Sequence, residues 1–108
     1  MTYEEGLIQS NQDLMRLKDA YSEAYLNWIR LSRKEKNLLA VLMLHAEGSA
    51  ANREMIAEAS EEYRKFCEDI SQAEGLKIKT KADFDVGICR YESFRTLVSL
   101  KKKEMDFI

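Results

Sequence analysis

The sequence predicts an all-α fold: a long N-terminal helix and two shorter ones, packed up-down-up as a helical bundle or coiled coil that self-associates. Three observations carry this. The 108 residues hold no proline and only 4 glycines, so little interrupts a helix. Apolar residues recur at heptad spacing through the first 45 positions. A hydrophobic share of 45% beside 33% charged residues is enough to form a core, which excludes disorder, while the same composition excludes collagen-like and disulfide-framework classes. A chain of this length fits one domain, 1–108.

The first helix is expected over about residues 3–47. One heptad row reads Leu7, Leu14, Tyr21, Trp28, Glu35 and Leu42, and the other Ser10, Leu17, Ala24, Leu31, Leu38 and His45. A flanking row of Ile8, Met15, Ile29 and Met43 widens the apolar stripe, which suits more than one neighbouring helix. Ser32 followed by Glu35 has the form of a capping box, so a break near Ser32 competes with a continuous helix. Glu35 also stands in a core row, where an unpaired carboxylate is costly.

Gly48 and Ser49 supply a C′ residue and an N-cap, so a second helix is expected at about residues 50–73. Its buried face would be Ala51, Met55, Ile56, Ala59, Tyr63, Phe66, Cys67 and Ile70, with Gly75 ending it. Leu76 and Ile78 would then tuck a short loop onto the end of the bundle. Thr80 with Asp83 opens a third helix, about residues 81–106, burying Phe84, Ile88, Tyr91, Phe94, Val98 and Met105, with Leu97 and Leu100 at the edges.

Neither later helix is long enough to cover the first. The uncovered part would expose apolar surface, and exposed contiguous apolar surface marks a binding site. Leu7, Leu14, Leu17, Tyr21 and Trp28 are therefore the expected interface, with a second copy of the chain or another protein as partner.

The charge balance is a formal −2, with no global attraction to polyanions or membranes. Its distribution is uneven: residues 1–46 carry 6 basic and 6 acidic groups, residues 47–74 carry 3 and 8, and residues 75–108 carry 8 and 5. The basic end suggests nucleic-acid contact as an alternative function. Lys77, Lys79, Lys81, Arg90, Arg95, Lys101, Lys102 and Lys103 could neutralise phosphates, with Tyr91 and Phe94 interleaved. Against this, both rings belong to the expected apolar face, and the helix after the Gly48 turn is too acidic to be a recognition helix.

No enzyme is expected. One histidine without a paired nucleophile and no glycine-rich phosphate loop leave no apparatus for covalent or phosphoryl chemistry. His45, Cys67 and Cys89 are evenly spaced but lack the close ligand pairs of a zinc site, so neither metal nor cofactor is expected. The two cysteines are expected as reduced core neighbours across the second turn. The acidic start and a longest apolar run of Leu38 to Leu44 lead to the expectation of a soluble, cytoplasmic protein.

The stretch Tyr91-Glu92-Ser93-Phe94-Arg95-Thr96-Leu97-Val98-Ser99-Leu100-Lys101-Lys102-Lys103-Glu104-Met105 resembles the closing helix of small all-helical accessory proteins of bacteriophages. The resemblance implies a cytoplasmic oligomeric accessory acting in phage DNA recombination or replication, or against a host system. It carries over no catalytic residue.

Overall fold

A computed structural model describes residues 2–106 of the chain; the ends of the expected range 1–108 lie outside the described residues. The order is α1 (Tyr3–Leu44), α2 (Ala50–Ala59) and α3 (Glu61–Asp106), with no strand among the described residues. The all-helical class is as the sequence predicts. Three helix boundaries are not.

Helix α1 is continuous for 42 residues, so the break weighed at Ser32 does not occur. The Thr2 hydroxyl accepts the Glu5 amide at 3.1 Å, and Glu4 and Glu5 stand in the first turn, where carboxylates favour the positive end of the helix dipole. The helix ends at Leu44, three residues before the expected Glu47. There the amides of His45 and Ala46 turn back to the carbonyls of Leu42 and Met43, tightening the last turn. Gly48 takes a φ of 110°, the left-handed conformation anticipated for it, and the Ser49 side chain caps α2 by accepting the Asn52 amide at 3.3 Å.

Helix α2 stops at Ala59, well short of residue 73. Ser60 both closes α2 and opens α3: its hydroxyl donates to the Ala57 carbonyl at 2.7 Å and accepts the Tyr63 amide at 3.2 Å. Glu61 and Glu62 follow in the first turn of α3, again at the favourable end of the dipole. The short helix packs through Ala57, only 1% exposed, and leaves Met55 and Ile56 on the surface, so the buried face expected for this segment is corrected.

The larger correction concerns α3. It runs 46 residues through Gly75 and through Leu76 to Thr80, where a turn and a loop are expected from the sequence. A single mid-helix glycine costs about 1 kcal/mol relative to alanine, which ladder hydrogen bonds and seam contacts on either side offset. Leu76 and Ile78 are exposed rather than tucked in. Ile88, Leu100 and Met105 are also exposed, whereas Phe84, Tyr91, Phe94 and Leu97 are half-buried and Val98 is buried.

The helices form two compact units. One joins α1 up to Glu23 with α3 from Ile78; the other comprises Ala24–Lys77, with the rest of α1, α2 and the start of α3. In the first, Gly6 lies against the Phe94 ring, Tyr21 stacks on Phe84 with ring centroids 6.3 Å apart, and Lys101 reaches Glu4 at 3.5 Å. In the second, Trp28 meets Lys77 and Glu35 meets Tyr63. In each unit the partners run in opposite directions along the two helices.

Candidate functional site

The first unit is held by shape. A Cβ on Gly6 would run into the Phe94 ring, and a Cβ on Gly87 would stand 2.8 Å from Leu17 Cδ1 and 3.5 Å from Leu14 Cδ1. Each helix thus offers a glycine notch to large side chains of the other. Close approach requires glycine at both positions, and both are buried. Beside Gly87, Asp13, Arg16, Asp83 and Arg90 rim a depression of about 210 Å³; Arg16 pairs with Asp13 at 3.6 Å.

The second unit is held partly by polar contacts. The Tyr63 hydroxyl donates to Glu35 Oε1 at 2.9 Å, giving the core-row carboxylate its partner. That hydrogen bond, with a lesser one involving the Cys67 thiol, pushes the Tyr63 phenol above its ordinary range. The Lys77 ammonium sits 3.6 Å from the centroid of a Trp28 ring, a cation–π contact that explains a lysine on the inner row of α3.

These contacts change the exposure expected for five residues of α1. Leu7, Leu14, Leu17, Tyr21 and Trp28 are all half-buried, and the last four touch α3 of the same chain. The expectation that they are left uncovered is corrected, because α3 has 46 residues rather than the 26 assumed for it (81–106). The exposed large apolar residues of α1 are Tyr3, Ile8, Met15, Tyr25, Leu26, Val41 and Leu44.

The basic candidates of α3 do not share a face. In heptad terms Lys81, Arg95 and Lys102 fall on one row, and Lys77, Lys79, Arg90, Lys101 and Lys103 on five others. Several are engaged within the chain: Lys81 with Asp85, Arg95 with Glu92, Lys101 with Glu4 and Lys77 with Trp28. Tyr91 and Phe94 are half-buried.

A cationic surface that the sequence reading missed lies on α1. Leu26, Ile29, Arg30, Arg33, Lys34 and Asn37 line a groove of about 390 Å³. Its signal is visible in the chain: between Glu23 and Glu47 the only acidic residue is Glu35, and that one turns inward to Tyr63. A second groove, of about 590 Å³, lies between α1 and α2 and is lined by Ala40, Met43, Leu44, Gly48, Ala50 and Arg53.

Among the described residues no three His, Cys, Asp or Glu side chains converge as a metal site. Cys67 and Cys89 are free thiols on one helix, half-buried and exposed respectively, so the turn expected to bring them together is absent. No described helix is long and apolar enough to cross a membrane. No protein family, curated protein or solved structure matches the chain.

Proposed function

We propose that the protein is a non-enzymatic assembly module, an antiparallel helical hairpin of coiled-coil type that associates with itself and through that assembly binds a protein partner. One observation carries the reading. No large side chain among the described residues is fully buried, while Ile8, Met15, Leu26, Leu44, Met55, Val86 and others stand 48% exposed or more. Two helices side by side cover only one face of each other, and a second layer is the usual way to bury the remainder. The heptad spacing of the inner rows supports the coiled-coil description.

The cytoplasm is the proposed location, where both thiols stay reduced. The resemblance of residues 91–105 to phage accessory proteins suits a small oligomeric helper of this kind. Nucleic-acid binding through the α3 cations is the weaker alternative, since those cations are dispersed and several are already engaged.

Sedimentation velocity over a concentration series tests the reading. A dimer or higher oligomer at micromolar concentration is expected; a monomer throughout overturns it.

A further inference from the structure

Resting on the assembly reading above, we infer that the basic outer face of α1 in the second unit docks on the acidic face of α3 in a second copy of the chain. The basic face is Arg30, Arg33 and Lys34, all exposed, with Leu26 and Ile29 beside them in the same groove. Spacings of three and four residues place the three cations on neighbouring turns of one side of α1. The acidic face is Glu61, Glu62, Glu68 and Asp69 at the start of α3, also exposed and again spaced to share a side of the helix, where the four carboxylates outnumber the one cation among them on that side, Lys65.

Two features make a second copy the fitting occupant. First, the patches are complementary in sign while the whole chain is nearly neutral at −2, so self-docking offsets charge that neither patch neutralises within the chain: every ion pair that the described residues form lies elsewhere. Second, the patches lie at one level. Arg33 and Lys34 precede Glu35, Glu61 and Glu62 precede Tyr63, and Tyr63 is bonded to Glu35. Arg30 and Lys34 in heptad register fall on the same side of the helix pair as Glu62 and Asp69. A two-fold axis parallel to the helices, lying in the plane of contact between the two copies, keeps the level of Glu35 and Tyr63 common to both and sets each basic patch over the partner's acidic one. The same two contacts then occur twice, as an isologous interface demands. Leu26 and Ile29 supply apolar area at its margin, which a purely electrostatic polyanion site does not need.

Charge reversal with complementation tests this. One variant carries Arg30→Glu, Arg33→Glu and Lys34→Glu, and another Glu61→Lys, Glu62→Lys and Asp69→Lys. Circular dichroism first establishes that each is as helical as the parent. Each alone is expected to weaken self-association by roughly 100-fold, since like charges then face each other, and an equimolar mixture is expected to restore it. Parent association should also weaken as salt is raised. If the parent associates and either folded variant associates equally well, the docking face is overturned and the assembly reading survives. Failure of the folded pair to complement overturns it as well. If the parent is monomeric, both fall. A monomeric parent that binds a short DNA duplex or phosphatidylserine vesicles through Arg30, Arg33 and Lys34 also overturns the proposal, in favour of a polyanion or a lipid surface.

Discussion

Where α1 meets α3 before Glu23, the contacts are ring on glycine, leucine on glycine and ring on ring; after Ala24 they are phenol on carboxylate and ammonium on indole. The first unit is specified by volume. A methyl group in the wrong place is felt there because the neighbouring atoms have nowhere to go. The second is specified by polarity, and its buried alanines, Ala24, Ala57 and Ala73, leave shape a smaller part. One helix pair thus carries two kinds of specificity, and substitutions of different chemistry should separate them.

The largest effect is expected in the first unit. Gly6→Ala drives a methyl into the Phe94 ring and should cost about 2 kcal/mol, read as a lowered midpoint in urea, because overpacking strains both partners. Phe94→Leu in the same chain should return part of that loss. An additive double variant would show that the notch does not constrain the ring.

In the second unit the informative pair removes the two ends of one hydrogen bond, with effects of different size. Tyr63→Phe leaves Glu35 without its donor and should cost about 1–2 kcal/mol, whereas Glu35→Leu removes the carboxylate and should be close to neutral. Equal losses from the two would mean that packing, not the hydrogen bond, holds this level of the seam.

The same contact sets a pH dependence. The Tyr63 phenol titrates higher in the folded chain than in the unfolded one, chiefly through its bond to Glu35, so the neutral form is favoured by folding. Its contribution is fully present below the ordinary tyrosine range near pH 10 and is lost as pH rises above it. Urea melts between neutral pH and the alkaline limit should decline more steeply for the parent than for Tyr63→Phe. At the acid end Glu4 acts in the other direction. Its own backbone amide, with help from Lys101, lowers its pKa, so a small exposed contribution present above the ordinary glutamate range fades as pH falls.

The smallest expected effect is a gain. Gly75 has open space around its Cα and helical neighbours on both sides, so Gly75→Ala should raise stability by about 0.5–1 kcal/mol in thermal melts. A loss would mean that the glycine serves a conformation other than the helix.

Gly75 also explains what was hard to read in the chain. Helix α1 and the Gly48 turn were legible because nine of twelve heptad positions are apolar and the turn carries both a glycine and a capping serine. In α3 the rows Tyr63, Ile70, Lys77, Phe84, Tyr91, Val98 and Phe66, Ala73, Thr80, Gly87, Phe94, Lys101 continue without interruption past Gly75. Lys77, Thr80 and Gly87 hide them from a search for apolar periodicity. Lys77 belongs there because Trp28 accepts its ammonium, and Gly87 because Leu14 and Leu17 fill its notch. These reasons live on the opposite helix, about 50 to 75 positions away in sequence, and no local window contains them. The end of α2 was missed for the opposite cause: Ser60-Glu61-Glu62 is a local start signal, masked by the strong helical pattern on either side. The cationic groove on α1 was visible as an interval with a single acid, yet its meaning depended on that acid, Glu35, pointing inward.

Ser60 has a dynamic consequence. The bend between α2 and α3 contains neither proline nor glycine, and one hydroxyl serves both helix ends. Every residue around it would accept helical backbone angles, so what separates α2 and α3 from a single uninterrupted rod is the cap, worth about 1 kcal/mol, together with the packing of Ala57. Opening at this joint should therefore be cheap, and the amides of Ser60 and Tyr63 should exchange with solvent well before those of the α3 interior. The angle of the ten residues of α2 thus rests on one capping hydroxyl and one buried alanine.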